Sequence, residues 1–235
     1  VKGDILGFLH GEKPILEAVE KIQAGIEEDN RLRGKADVLP LYTKLPQRQQ
    51  DLALKPKKNK NRYRVVISTN VAETSLTVEG IVHVVDSGLI NEAQWDPETR
   101  TSFVLPKPHS RAGCRQRWGR AGRVQPGIAH CLYTENQFEN FIPYTDPEIV
   151  RAPIDQIVLT ALSAGVNKFD EFEWIEPPPP EELTRAPDYL KSIGALDEDG
   201  DITNHGLELR FFPAEIDIAN LMILADRFGC VVEMA

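Results

Sequence analysis

The spacing of apolar residues changes repeatedly along this chain, and those changes outline its elements. DILGFL (4–9) is a short apolar run. It is followed by ILEAVEKIQAGIEE, where Ile15, Leu16, Val19, Ile22 and Ile26 recur at helical spacing. VLPLY (38–42), RYRVVIST (62–69), IVHVVDSG (81–88) and IAHCLYT (128–134) are further strand candidates. Their Val/Ile-rich runs suit strands buried on both faces, as in a parallel sheet. Strands alternating with helical patterns predict a parallel α/β domain over residues 1–145. Lys55–Asn61 (KPKKNKN) has the composition of an exposed loop.

Beyond Thr145 the texture changes. PIDQIVLTALSAG is an amphipathic helical pattern that stops at Gly165. Pro177–Pro180 is expected to be neither helix nor central strand. EELTRAPDYLKSIGAL predicts a second helix, open to interruption at Pro187. DEDGDIT marks a turn before a short β-wing, and NHGLELRFF a third short element. Helices followed by a small hairpin outline a small, mainly helical winged-helix domain over 146–210. EIDIANLMILADRF then begins a further helical domain over 211–235.

Composition excludes some classes and complicates another. At 41% hydrophobic and 27% charged, the chain is of ordinary globular type. No apolar run reaches the roughly 18–20 residues a bilayer span requires, and the first residues lack a small-residue cleavage site. Three cysteines, Cys114, Cys131 and Cys230, stand far apart in no CxxC pair. That sparse usage points to a reducing, intracellular compartment, and the lack of a long apolar run to no membrane partner. The net charge of −9 argues against a polyanion partner until it is divided. Residues 1–134 carry 21 Lys+Arg against 15 Asp+Glu, whereas 135–235 carry 6 against 21. Lys44–Arg64 holds eight basic residues and one acid; Phe103–Thr134 holds six and no acid. An unbroken acid-free stretch reads as a place where phosphate sits, because counter-charges normally intersperse on a solvated surface.

Within that stretch lies Gln116-Arg117-Trp118-Gly119-Arg120-Ala121-Gly122-Arg123. If helical, it sets Gln116, Arg120 and Arg123 on one stripe, at i, i+4 and i+7. Arg117 falls off the stripe and is expected to tolerate alanine far better than Arg120, unless it contacts RNA. Gly119 and Gly122 cost a helix roughly 1 kcal/mol each relative to alanine, and are expected to permit close approach to neighbours. Two guanidiniums on one stripe suit a planar polyanion, and in a nucleoside triphosphatase the transferring γ-phosphate is such a group.

QRWGRAGR resembles motif VI of superfamily 2 helicases, and STNVAETSLTVEG (68–80) resembles motif V of their DEAH-box branch. GDILGFLHG resembles motif IV, and PLYTKLPQRQQ (40–50) the segment after it. PEIVRAPIDQIVL and EPPPPEEL resemble the start and middle of the family's winged-helix domain. The resemblance implies a second RecA-like lobe over 1–145 and, for the intact protein, ATP-dependent RNA unwinding or translocation. It gives Arg120 and Arg123 the place of paired arginine fingers, and Gln116 that of a residue placing the γ-phosphate or attacking water. Thr77 and Glu79 match positions that reach the nucleotide, and Gly11, Thr69 and Asn70 positions that touch the nucleic-acid backbone. His10 stands where a threonine is usual.

The interval Leu89–Pro106 matches a long β-hairpin near the point of strand separation, which makes Trp95 and Phe103 candidate wedge residues. Where the family stacks an aromatic on the base, QQDLALKP offers Ala53 or Leu54, so base stacking is expected to be weak. Trp174 reads as core. No GxxxxGK[ST] occurs, since Gly34-Lys35 precedes Ala36, and no DExH follows a strand. The resemblance therefore implies ATP with Mg²⁺ as nucleotide, the metal's ligands lying on a first RecA-like lobe outside this sequence. Single-stranded nucleic acid, RNA in preference to DNA, is the expected partner, with a protein activator a further candidate.

Overall fold

The computed structural model describes residues 3–55, 61–123, 125–169 and 171–234. Most of the expected 55–61 loop lies outside these. The chain forms two units, residues 1–93 with 104–145, and residues 94–103 with 146–235.

The first unit is built on five strands: β1 (Asp4–Phe8), β2 (Ala36–Leu41), β3 (Tyr63–Ser68), β4 (Ile81–Asp86) and β7 (Ile128–Cys131). They pair in the order β2-β3-β1-β4-β7, every neighbour parallel, as the uninterrupted apolar runs predict. Alternation along β3 shows why a two-sided core needs such runs. Val65 and Ile67 face Ile15 and Val19 of α1 (Glu12–Glu28), together with Val38. Val66, between them, faces the opposite core with Leu6, Phe8, Leu41, Val84, Ala121 and Ala53 of α2 (Gln47–Leu54).

β5 (Leu89–Asp96) and β6 (Thr101–Pro108) make the expected hairpin as a separate two-stranded sheet. α3 (Arg111–Trp118) follows, capped by the Ser110 hydroxyl, which accepts from the Gly113 amide at 3.1 Å. Its start is near the carboxyl end of β4, for the His109 amide donates to Gly88 O at 2.8 Å. Its exit lies near the opposite edge, where Ala121 meets Gly127 beside Val82, the second residue of β4. α4 (Glu135–Glu139) closes the unit's sequence of elements.

In the second unit, α5 (Glu148–Arg151) precedes α6 (Asp155–Ser163), α7 (Pro180–Ser192), α8 (Asn204–Phe211), α9 (Ile216–Phe228) and α10 (Val231–Met234). Ile154, Val158, Leu159, Leu190, Leu209, Ile216 and Ala219 form its core. Four expectations are settled here. Pro180 belongs to a helix after all, at the first position of α7, where a missing N–H costs no hydrogen bond. Pro187 does not interrupt α7. NHGLELRF is helical, and the wing reduces to one antiparallel bridge, Leu196 to Ile202. Trp174 is half-buried rather than core, its indole N–H donating to Phe169 O at 3.0 Å. Among the described residues no helix is long and apolar enough to cross a membrane.

Candidate functional site

The candidate residues of the first unit fall at two edges of its sheet. Thr69 and Asn70 follow the carboxyl end of β3, and Gly11 follows that of β1. Thr77 and Glu79 precede the amino end of β4. Arg120 and Arg123 follow the exit of α3, near that same amino edge.

The arginines do not share a helical stripe with Gln116. α3 ends at Trp118, and Arg120 N–H and Ala121 N–H bond only three residues back, to Arg117 O and Trp118 O, each at 3.0 Å. The chain leaves the helix in a tightened turn because glycines at 119 and 122, where helical conformation is least favoured, occupy the last positions. Nor do these glycines serve close approach. A Cβ at Gly122 would meet nothing within 4 Å, and one at Gly119 only its own turn, Gln116 O at 3.4 Å. The close glycine is Gly113, where a Cβ would lie 2.0 Å from His109 Nε2.

The turn nevertheless gathers three of the candidates. Arg123 Nη1 donates to Thr77 Oγ1 at 2.9 Å. Burial, and next the neighbouring Arg123 charge, hold the Arg120 guanidinium below its usual range, with Glu73 opposing. Arg120 Nη1 is buried and has no hydrogen-bond partner among the described residues. A half-buried, partly desolvated guanidinium beside a second one is an arrangement that an incoming anion stabilises. Gln116 and Glu79 are exposed, and Glu79 contributes its backbone carbonyl to Arg64.

Beneath the turn lies a charge cluster that sequence reasoning missed. Arg117 is fully buried. Its Nε donates to Glu73 Oε2 at 3.0 Å, and its Nη1 to Asp86 Oδ1 at 2.8 Å and Leu89 O at 3.1 Å. Its guanidinium also stands 4.9 Å from the Phe8 ring centroid. His109 Nε2 lies 2.9 Å from Glu73 Oε2, and Tyr133 Oη donates to Asp86 Oδ2 at 2.9 Å. The structure gives Arg117 a structural part that its place off the stripe did not suggest: two buried carboxylates are paired with it. A signal did exist. With no acid between 103 and 134, a cation of α3 pointing inward could be matched only by carboxylates such as Glu73 and Asp86.

The basic segments divide in the same way. Arg64 is buried against Asp4 at 3.2 Å and donates to the carbonyls of Ala53 and Lys55, while Arg62 pairs with Asp37 at 2.5 Å. Lys107 pairs with the buried Glu92. These are structural cations rather than free phosphate contacts.

At the carboxyl edge, Thr69 Oγ1 caps a single 3₁₀ turn, Asn70–Ala72, and the Asn70 side chain is exposed. Gly11 opens α1, and a Cβ there would come 3.0 Å from Asn91 Nδ2. His10 is half-buried, with Nδ1 unpartnered among the described residues. Ala53 is fully buried and Leu54 packs against the same core, so neither is presented to a base.

Trp95 and Phe103 belong to the hairpin, their residues grouping with the second unit. Phe103 is 39% exposed. Trp95 is half-buried with the Arg100 guanidinium 5.3 Å from its ring. Arg100 in turn donates to Asp155 at 2.8 Å and Asp217 at 3.1 Å. Burial raises the Asp155 carboxyl, with Arg100 opposing. No group of three or more His, Cys, Asp or Glu among the described residues could hold a metal ion.

Comparison with known proteins places this geometry. Residues 3–125 match the family described as the helicase conserved C-terminal domain. The pre-mRNA-splicing factor ATP-dependent RNA helicase prp22 of Schizosaccharomyces pombe is similar at 35% identity over 237 residues, covering 99% of this chain and 20% of that protein. The crystal structure of the E. coli DExH-box NTPase HrpB superposes with a TM-score of 0.82 at 30% identity, covering 96% of this chain and 27% of that one. Another, of the Escherichia coli DEAH/RHA helicase HrpB, gives 0.85 at 30% identity, covering 95% and 28%. The chain thus spans about a fifth of the curated relative and little more than a quarter of the solved ones.

Proposed function

The chain belongs to the helicase conserved C-terminal domain family, and from that premise we propose that it is the second RecA-like lobe, with adjoining segments, of a DEAH-box ATP-dependent RNA helicase. Residues 1–145 form the lobe, 146–210 a winged-helix domain and 211–235 the start of a helical domain. A first lobe carrying the phosphate cradle and the Mg²⁺ ligands completes the ATP site, and this segment alone turns over no ATP.

The observation that carries the reading is the turn after α3. Arg120 presents a buried, unpartnered Nη1, and Arg123 is tethered to Thr77. Arg120 and Arg123 act as fingers on the γ-phosphate, whose oxygens gain charge in the transition state. Thr77 and Glu79 border the nucleotide, and Gln116 helps place the attacking water. Bound Mg²⁺ would neutralise phosphate charge from the other lobe. At the opposite edge Gly11, Thr69 and Asn70 hold the RNA backbone, which positions a strand without reading its sequence. Trp95 and Phe103 serve as the strand wedge, and an activator protein remains a further partner. Lobe closure couples the two edges, because the fingers meet phosphate only when the lobes come together.

The test is steady-state ATP hydrolysis by the full-length protein. Arg120→Ala and Arg120→Lys should each lower kcat by on the order of 10³, since lysine keeps the charge but loses the planar fork. RNA affinity should change little. A near-normal kcat with a lost RNA complex would move Arg120 from the nucleotide to the nucleic acid and overturn the assignment.

A further inference from the structure

The second unit is acidic, and one cleft on it concentrates that charge. Residues 135–235 carry 6 Lys+Arg against 21 Asp+Glu. The cleft, of about 300 Å³, is lined by residues of this unit alone, from the hairpin, the approach to α6 and the start of α9. At that volume, the low end of the range for small-ligand sites, it has room for one long side chain.

Four carboxylates line it, and they divide by their partners. Asp155 and Asp217 pair with Arg100 at 2.8 and 3.1 Å, and the Arg100 guanidinium lies 3.3 Å from the Tyr189 ring centroid. Glu148 and Glu215 are exposed, and among the described residues neither has a cation in salt-bridge range. Glu215 has the Ser102 hydroxyl, at 3.4 Å. Gln156 adds a further acceptor. Its Nε2 donates to Arg210 O at 2.6 Å, which fixes the orientation of the amide and leaves Oε1 buried with no partner among the described residues. A buried acceptor left unpaired costs free energy until a donor reaches it. The open polar groups of the cleft are thus acceptors, and Trp95, Pro153 and Ile216 supply apolar wall beside them.

That combination selects the chemistry of a ligand. A phosphate-bearing molecule is repelled by the carboxylates. A bare metal ion is unsuited, since no group of three or more His, Cys, Asp or Glu among the described residues could hold one. A cation on an apolar stem fits, its methylenes along the wall and its charged head among the acceptors. Guanidinium fits better than ammonium, because a planar fork of donors serves two carboxylates and an amide oxygen at once, whereas an ammonium is a point charge. The unit already holds one guanidinium in this manner, Arg100 between two carboxylates and against a ring.

We propose that this cleft is a docking site for an arginine side chain carried on a basic segment of a partner protein. The acidity of the surrounding unit would steer such a segment toward it. The inference goes beyond the ATP-site reading and needs the second unit alone. Trp95 contributes wall to the cleft, and its proposed part in strand separation stands independently.

Full-length wild type, Glu148→Gln/Glu215→Gln and a charge-matched control, Glu181→Gln/Glu198→Gln, are compared by fluorescence polarisation for binding a labelled, arginine-bearing Gly-Ser peptide. All four positions are exposed, so both variants should keep the wild-type melting temperature. The wild type should bind the peptide, and the cleft variant should bind about tenfold more weakly through loss of two charge-assisted contacts. The control should stay within about twofold of wild type, and a lysine-bearing peptide should bind more weakly than the arginine one. Equal losses in the cleft variant and the control would overturn the proposal, since the general charge of the unit would then account for binding. So would no binding by wild type, or unchanged peptide affinity alongside altered RNA affinity in the cleft variant, which would give the cleft to nucleic acid. Should the double variant melt low, Glu148→Gln against Glu181→Gln decides by the same comparison.

Discussion

Truncating Arg117 is the perturbation whose outcome the structure determines most closely. Arg117→Ala removes a fully buried cation and leaves Glu73 and Asp86, 8% and 0% exposed at their side chains, without it. Breaking a buried ion pair from one side costs about 3–5 kcal/mol, because the remaining charge stays desolvated. Two carboxylates share the loss here, and the contact with the Phe8 ring goes too. Part of the cost is offset. Asp86 keeps the Gly88 amide at 3.0 Å and the Tyr133 hydroxyl at 2.9 Å, and Glu73 keeps His109. The offsets hold the loss to about 3–5 kcal/mol rather than twice that. At about 2–4 °C per kcal/mol for a chain of this size, melting should fall by roughly 6–20 °C. Urea unfolding of wild type, Arg117→Ala and Arg117→Lys, followed by circular dichroism, measures this directly. Lysine should fall between the other two, since it retains the charge but cannot reach both carboxylates with one planar fork. A loss below about 1 kcal/mol for alanine, at unchanged m-value, would refute the argument, for it would mean that the cluster is hydrated.

Two further outcomes follow from the same region. Gly113→Ala drives a methyl to within 2.0 Å of the His109 ring and should cost about 1–3 kcal/mol by overpacking, read as a lowered urea midpoint. Combining it with His109→Asn should recover part of that loss, and no loss in the single variant would show that the ring moves aside freely. The Cys114 thiol is buried and pushed up to about 12, chiefly by burial, whereas Cys131 is exposed. Alkylation of the native protein near pH 8 should therefore modify Cys131 and spare Cys114 until the chain is unfolded, because the thiolate is the reacting form. Equal rates at the two sites, followed by mass spectrometry of tryptic peptides, would contradict the burial argument.

The parallel sheet was legible because its central strands β1, β3 and β4 are largely buried, and the run Val65-Val66-Ile67 of β3 is apolar toward both faces. The helix before Trp118 was legible in part. Where it stopped was not: three positions at i, i+4 and i+7 fit a helix and also fit a helical turn that has begun to tighten. The two glycines held the answer, and reading them as contact surface instead of as an ending produced the error. The wing shrank to one bridge, and the third short element is the helix α8, as suits NHGLELRF, which lacks β-branched residues.

Arg117 was misread for a deeper reason. Charged side chains are almost never fully buried unless paired, so an arginine in a basic segment is ordinarily taken for surface. Its partners stand 44 and 31 residues away in sequence, on elements that only the folded sheet brings together. A segment without carboxylates is thus ambiguous on its face. Either its cations await an anion from outside, or the domain supplies the acids from elsewhere in the chain. Burial divides the cations of this segment into two groups. Lys107 and Arg117 meet the carboxylates of Glu92, Glu73 and Asp86 inside the domain. Arg120 and Arg123, past the end of the helix, have no carboxylate in salt-bridge range among the described residues, and Arg123 has only the Thr77 hydroxyl. The Arg117 pairs lie just before the turn that carries Arg120 and Arg123, so the anion contacts proposed for the segment rest on its last two arginines.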